Sequence, residues 1–243
     1  MDKQTNTKIR IGLIGLGHLA TIHLKCMLNI SQIEIIGIFD IDQDLAAKRS
    51  ETYGVPAFTD LNVLIQRCDA LDIVTPTTTH YEIAKICVEQ GKHVFIEKPM
   101  THLLSEAKQL CALIDQTDLV VQIGHVERFN PALLSLQNLS IDPMFMEVHR
   151  LAQFNPRGTD VSVVLDLMIH DLDIILSLIP YPVSDIQATG VNIVSESEDI
   201  CNARLVFENG AVVNITASRI SMKNMRKMRV FQEDAYILSL IHI

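Results

Sequence analysis

Between residues 8 and 125 the chain alternates short β-branched runs with amphipathic segments of helical length. The runs are Ile9–Ile14, Ile33–Phe39, Ala70–Val74, His93–Ile96 and Val120–Ile123. Between them, Leu19–Leu28, Leu45–Tyr53, Tyr81–Gln90 and Leu104–Asp115 place apolar residues three and four apart, the spacing that lines one face of an α-helix. Near-continuous apolar strands alternating with helices predict a parallel sheet covered on both faces. Such sheets take ligands at the carboxyl ends of their strands, near the point where the strand order reverses.

Past residue 125 the rhythm changes. Asn130–Pro131 interrupts the chain, Met144–Arg150 reads as a strand, and one long apolar helix is predicted over Val161–Leu178, stopped by Pro180 and Pro182. Strand-like runs follow at Asp185–Val194, Cys201–Phe207, Ala211–Ser218 and Met228–Gln232, and Asn209–Gly210 between two of them is a strong hairpin signal. The expected fold is an α/β Rossmann domain with a parallel sheet over residues 1–125, followed by an α+β domain with a largely antiparallel sheet over residues 126–243. No internal repeat and no low-complexity linker separates them.

Composition narrows the function. With 243 residues, of which 48% are hydrophobic and 20% charged, the chain can bury a core and lacks the signature of disorder. A net charge of −9 argues against a nucleic-acid or anionic-membrane partner, which needs a basic face. No apolar run approaches the ~20 residues of a membrane helix, and Met1–Lys8 has no apolar signal core. Cys26, Cys68, Cys87, Cys111 and Cys201 form no CxxC pair and show no metal-ligand spacing. That pattern suggests buried thiols in a reducing, cytoplasmic setting, and no metal.

Gly15-Leu16-Gly17-His18-Leu19-Ala20 follows an apolar strand and opens a helix. Gly15 permits a tight turn, Gly17 lets backbone approach a pyrophosphate, and Ala20 lets helix pack on strand. His18 and Leu19 sit where the helix N-terminus offers free N–H donors. Asp40 ends the second strand, where a carboxylate accepts ribose hydroxyls and repels a 2′-phosphate; Ile41 and Asp42 follow it rather than Arg. NAD is therefore favoured over NADP. The competing reading is a glycine turn of another α/β protein, with Asp40 capping a helix. Thr75, Pro76, Thr77 and His80 follow the third strand at the edge that would face the cofactor, although Thr79 as a helix cap and Pro76 as a turn residue explain the segment equally well.

Glu97-Lys98-Pro99 ends the fourth strand at the same edge. Lys98 can reach a substrate oxygen there, with Pro99 fixing its backbone; an exposed loop lysine is the plain alternative. In Val161–Leu178, Asp166 and His170 are spaced i, i+4, and Asp173 and Ser177 continue the stripe on an otherwise apolar helix. A carboxylate one turn before a histidine can orient it as a general base, and a structural Asp–His pair is the alternative. Asp171 points away from the stripe and reads as structural. The basic residues Lys223, Arg226, Lys227 and Arg229 read as a solvated face or loop.

The segments GLIGLGHLA, TPTTTH, EKPM, GHVERFNP and DLMIHDLD, with Asp40, together resemble the Gfo/Idh/MocA family of sugar and inositol oxidoreductases, from Lys8 to about Tyr236. The resemblance implies NAD(P) in the first domain, with Glu97 and Lys98 among the residues at the cofactor. It implies Lys98 as the lysine contacting substrate and nicotinamide ribose, His170 as acid/base, and Asp166 assisting it or binding substrate. It also implies a homo-oligomer, dimer or tetramer, built through the sheet of the second domain. GHVERFNPA and PRGTDVSVVLDLMIHDLD are most similar to members that act on UDP-N-acetylhexosamines, some of which oxidise the 3-hydroxyl of UDP-N-acetylglucosamine for lipid A-type assembly. Arg128, Asn130, Arg157 and Asp173 would then join Asp166 at the substrate, the arginines on phosphate oxygens; ordinary salt-bridge or turn residues are the equal alternative for Arg128, Asn130 and Arg157. Inositol or a free sugar as substrate, or an NAD-binding piece without turnover, are the alternatives.

Family members are usually longer. The last six residues, Leu238–Ile243, match one reading frame of a common transposon sequencing adapter. They are therefore expected to be foreign to a C-terminally truncated chain, leaving the second sheet incomplete with an unpaired apolar edge.

Overall fold

The computed structural model describes residues 8–156 and 159–241. The chain divides between Gly124 and His125 into two compact units.

The first unit runs β1 (Ile9–Ile14), α1 (His18–Met27), β2 (Ile33–Phe39), α2 (Gln43–Tyr53), α3 (Leu61–Arg67), β3 (Ala70–Ile73), α4 (His80–Glu89), β4 (His93–Ile96), α5 (Leu104–Ile114) and β5 (Val121–Ile123). Its strands form one parallel sheet in the order β2-β1-β3-β4-β5. Adjacent residues of β1 serve opposite faces. Leu13 packs with Leu16, Ala20, Leu24 and Ile38, while Ile14 packs with Leu64, Leu71, Ile73, Ala84 and Ile96. Side chains alternate along a strand, so a sheet covered twice demands the unbroken apolar run seen in the sequence. The chain leaves β1 for β2 on one side and returns to β3 on the other. The carboxyl ends of β1 and β3 therefore flank the switch point, where such sheets bind ligands.

Helix α3 is absent from the periodic pattern. It has seven residues, too few to show a period, and is started by Asp60, whose side chain accepts from the Asn62 N–H at 2.8 Å. It nonetheless places Leu64 and Ile65 fully in the core.

The second unit contains the short helix α6 (Pro131–Leu134), β6 (Phe145–Leu151), a π-helical turn (Val164–Met168), α7 (Ile169–Leu178), β7 (Val183–Val191), β8 (Ile200–Phe207), β9 (Val212–Ser218), β10 (Met225–Phe231) and β11 (Tyr236–Ile241). The sheet order is β11-β10-β6-β9-β8-β7. Every neighbouring pair is antiparallel except β6 and β9, which run parallel. Met146, Val148, Leu205, Val213, Ile215 and Val230 point to the face packed by Met168, Ile174 and Ile175. At the β8–β9 hairpin Gly210 has φ +86° and Asn209 Oδ1 accepts from the Ala211 N–H at 3.1 Å, as the Asn–Gly pair predicts.

Several expectations change. The predicted helix over Val161–Leu178 begins at Val164, and its first turn is π rather than α. Of the basic cluster, Lys223 lies in an exposed bend, whereas Arg226, Lys227 and Arg229 lie in β10, and Arg226 and Arg229 pair with Glu127 and Glu147. Cys68, Cys87 and Cys201 are buried, but Cys26 and Cys111 are exposed. The edge of β10, expected to lie open, is paired with residues 236–241. Ladder bonds join backbone to backbone, so an extended run of any origin can take that edge. No helix among the described residues is long and apolar enough to cross a membrane.

Beneath α7, the Arg150 guanidinium of β6 donates to Asp171 through Nε at 2.7 Å and a terminal nitrogen at 2.8 Å, both side chains being buried. Glu127 lies 3.7 Å from the same guanidinium and 2.6 Å from Arg226. Removing one partner of a buried pair strands the other. Arg150→Ala is expected to lower the unfolding free energy by about 3–5 kcal/mol in a denaturant titration, and Arg150→Ala/Asp171→Ala by less than the sum of the single changes.

Candidate active site

The loop after β1 is shaped by contact with the end of β3. Gly15 has φ +88°, and a Cβ there would lie 2.8 Å from the Thr75 nitrogen and from the Val74 carbonyl. Only glycine fits this approach. Around Gly17 the situation is reversed, since a Cβ would meet nothing within 4 Å. Gly17 precedes α1, whose first amides receive no side-chain cap. They and the helix dipole are oriented for anionic oxygens. Exposed His18 and Leu19 stand at that end, while Ala20 is buried and packs the helix on the sheet.

Asp40 closes the loop from β2. Its Oδ2 accepts from the Leu16 N–H at 2.7 Å and its Oδ1 from the Asp42 N–H at 2.9 Å. The cap of α2 is Asp42, which accepts from the Leu45 N–H at 3.0 Å, so Asp40 is not consumed as a helix cap. Each Asp40 oxygen keeps a lone pair for a hydroxyl. These features fit a dinucleotide: a bare helix end, space over Gly17 and an acid at the end of β2.

After β3, Thr77–Thr79 form a 3-10 turn and buried Thr77 faces inward. The Thr79 side chain does not cap α4; its hydroxyl lies 2.8 Å from the Pro76 carbonyl and 2.8 Å from the Thr75 hydroxyl. His80, expected at the cofactor, is 1% exposed. Its Nδ1 lies 2.8 Å from the Pro99 carbonyl and its Nε2 2.9 Å from the Thr75 carbonyl. It therefore ties the Thr75 and Pro99 loops together from inside the unit. Glu97, also expected at the cofactor, is buried, with its Oε1 3.2 Å from the Nε2 of His23. Half-buried Lys98 follows it, joined to Pro99 by a cis peptide bond.

In the second unit, Asp166 lies in the π-turn and His170 is the second residue of α7; both are half-buried. A π-turn holds an extra residue and often marks a functional site. The extra residue changes the angular spacing between Asp166 and the residues of α7 that follow it. Asp173 instead accepts two bonds from Arg128, both at 2.6 Å, and lies 3.9 Å from His125 Nδ1. Ser177 donates to the Ile174 carbonyl at 2.7 Å. Asp171 is buried on Arg150, the structural part its position predicted. Asn130 caps α6, its Oδ1 accepting from the Ala132 N–H at 3.0 Å. Arg157 lies outside the described residues.

Buried charges hold this region and carry no periodic signal. Asp199 is fully buried and its Oδ2 accepts from the N–H groups of Ile193, Val194 and Ser195 at 2.8, 2.6 and 2.9 Å. Burial opposes its ionisation, but these amides hold its carboxyl well below the usual range. Arg219 donates to the Val161 carbonyl at 2.7 Å, and the Val163 N–H bonds the Glu198 carbonyl at 2.9 Å. The strand ends thus anchor the approach to the π-turn. Among the described residues, no group of three or more His, Cys, Asp or Glu side chains could hold a metal ion.

The family model described as the GFO/IDH/MocA oxidoreductase family, NAD-binding Rossmann fold, matches residues 9–125, and the GFO/IDH/MocA C-terminal domain matches residues 144–238. The chain is 38% identical over 229 residues to UDP-N-acetylglucosamine 3-dehydrogenase of Acidithiobacillus ferrooxidans, covering 94% of this chain and 72% of that protein. A solved structure of that enzyme matches with a TM-score of 0.89 at 37% identity, over 97% of this chain and 80% of the other. Myo-inositol 2-dehydrogenase of Thermotoga maritima is 28% identical over 229 residues, or 87% of this chain and 69% of that protein.

The two loop glycines separate fold from ligand. Gly17→Ala is expected to leave the melting temperature within about 2 °C, yet weaken NADH binding at least tenfold, roughly 1.4 kcal/mol. Gly15→Ala should also cost about 1–3 kcal/mol of stability, because of its positive φ. Thermal melts and NADH fluorescence titrations read both effects.

Proposed function

The chain belongs to the Gfo/Idh/MocA family of NAD-binding oxidoreductases, and from that premise we propose that it is an NAD-dependent dehydrogenase of a nucleotide sugar. The proposed reaction oxidises the 3-hydroxyl of UDP-N-acetylglucosamine, or of a related UDP-N-acetylhexosamine, to a ketone. The observation that supports this substrate is the 38% identity, over 94% of the chain, to an enzyme named for that reaction. Relatives named for inositol match at 28% or below. They favour a polyol as the second reading.

In the proposed chemistry His170 accepts the proton of the reacting hydroxyl, and Asp166 assists it or binds the sugar. Lys98 hydrogen-bonds the same oxygen and aligns the carbon. Bound NAD, in its oxidised form, supplies the hydride acceptor. One C–H and one O–H bond break, a C=O bond forms, and NADH and a proton are released. The residues that would hold NAD are the loop from Gly15 to Leu19, with Asp40 on the ribose and Thr75 to Thr77 beside it.

Arg128 can serve the diphosphate without releasing Asp173. Its Nε and one terminal nitrogen are bonded to that carboxylate. The other edge of the guanidinium remains for phosphate oxygens on a side chain that is 53% exposed. Asn130 and Arg157 complete the proposed substrate set. Assembly as a dimer or tetramer is part of the proposal, supported by the 63% exposure of Ile186 on the sheet of the second unit. A cytoplasmic setting belongs to it too, with no nucleic-acid or membrane partner, in keeping with the net charge of −9.

The test follows NADH formation with NAD and UDP-N-acetylglucosamine, with myo-inositol and glucose in parallel. Turnover of the nucleotide sugar alone is expected. Turnover of a polyol alone would move the substrate to the second reading, and NADH binding with no turnover at all would remove the dehydrogenase. Lys98→Ala and His170→Ala are each expected to lower kcat by about 10²–10⁴ while leaving the Kd for NADH within about threefold.

A further inference from the structure

His23 lies in α1, one turn beyond Ala20, on the side of the helix that meets the sheet. Its Nδ1 is 2.8 Å from Asp72 Oδ2 in β3, and its Nε2 is 3.2 Å from Glu97 Oε1 just past β4. The three side chains are 16%, 9% and 9% exposed. The ring also stands edge-on to Phe95, with centroids 5.9 Å apart. Glu97 is confined from the other side: a Cβ on Gly124 would lie 2.9 Å from its Oε1. Its second oxygen, Oε2, accepts from the backbone N–H of Lys98 at 3.1 Å. A continuous chain of contacts thus runs from β3 through the ring to the amide of the lysine.

The chemistry of the ring follows from its two neighbours. A neutral imidazole has one N–H and could satisfy only one of the carboxylates. Two buried carboxylates sharing a site repel one another unless a cation stands between them. Asp72 and Glu97 are the ionisable groups that face the ring. Burial disfavours the charged ring, but the hydrogen bonds and negative charge of Asp72 and Glu97 outweigh it and raise its pKa to about 10. The stability it contributes is fully present below the ordinary histidine value and is lost as pH rises through about 10.

We infer that His23 is a positioning residue for the reaction: its ring bridges Asp72 and Glu97, and the Glu97 carboxylate held in this way fixes the backbone of Lys98 and so the aim of its side chain. The role of Lys98 rests on the reading above. The bridge itself stands on the contacts within the first unit.

The experiment compares the full chain with His23→Gln and with His23→Gln/Asp72→Asn. In the double variant the glutamine amide at position 23 can donate to Glu97 and accept from the asparagine amide at position 72, a neutral copy of the bridge. Two readouts are taken: hydrogen exchange of the Lys98 amide by NMR, and kcat and KM for NAD. His23→Gln is expected to speed exchange at Lys98 at least about tenfold. It should lower kcat by about ten- to a hundredfold, with KM for NAD within about threefold. The double variant should recover both. A His23→Gln protein with lower melting temperature but unchanged Lys98 exchange and unchanged kcat would make His23 merely structural and overturn the inference. Should His23→Gln fail to fold, ring ¹⁵N shifts of the unaltered protein decide at pH 8: imidazolium values at both nitrogens support the bridge, and neutral values overturn it. Lys98 exchange that responds as expected in a protein turning over no sugar would sink the proposed dehydrogenase and leave the bridge standing.

Discussion

A sheet buried on both faces has only its edges and strand ends left for chemistry. In the first unit the apolar run of each strand ends abruptly in residues that are polar or conformationally demanding: Gly15 after β1, Asp40 after β2, Thr75 after β3 and Glu97-Lys98 after β4. Every polar group placed at that boundary must find a partner or face solvent, because a buried unpartnered group costs on the order of 1–3 kcal/mol. The organisation of the loops follows from meeting that demand. Asp40 takes the amide of Leu16, His80 takes the carbonyls of Thr75 and Pro99, and Glu97 takes His23 and the amide of Lys98. The first two tie one strand end to another, and the third ties the end of β4 to α1. The edge therefore behaves as a connected frame and not as independent loops.

The second unit meets the same demand with side-chain charge. Its sheet has one face covered, and the covering helix must carry polar residues past an apolar core. Asp171 is neutralised by Arg150, which is shared with Glu127 and through it with Arg226. Asp199 Oδ2 accepts from three consecutive amides, and its Oδ1 lies 3.8 Å from Arg219. With these charges settled internally, the start of the π-turn is anchored at Val161 and Val163 by Arg219 and Glu198. The position of His170 at the head of α7 then depends on that anchorage as well as on helix geometry.

Much of this is legible in the sequence. The strands of the first unit, the glycine loop, Asp40 and the Asn209–Gly210 hairpin are readable because each depends on local chemistry: alternation, positive φ, a turn pair. The stripe from Asp166 to Asp173 assumes an unbroken helix, and the π-turn at Val164–Met168 leaves no mark in residue spacing. Position in the chain alone puts His80 and Glu97 at the cofactor; burial turns them inward. His23, Arg150 and Arg219 escape a reading of the sequence because their partners are distant along the chain, His23 from Asp72 by 49 residues. One signal is available. Asp72 is the lone charge in the apolar run Ala70–Val74, and a carboxylate in a doubly covered strand requires a cationic partner.

The two strategies differ in what they leave free to change. The dinucleotide cradle is built of backbone, with Gly15 against Thr75 and the bare amides of α1, so its geometry depends on main-chain positions that few substitutions respect. The second unit holds its helix with the Asp171–Arg150–Glu127 set on the inner side of the sheet. Arg128 and Asp173 bond to each other outside that set, while Asn130 caps α6 and touches the set only through Glu127, 3.4 Å away. Side chains around Arg128 and Asp173 can alter without uncovering the buried Arg150–Asp171 pair. That division accounts for a family in which one nucleotide-binding domain accompanies different substrates, as in the relatives named for UDP-N-acetylglucosamine and for myo-inositol. In such an arrangement, specificity is expected to lie in the second unit, and the alignment of Lys98 in the first.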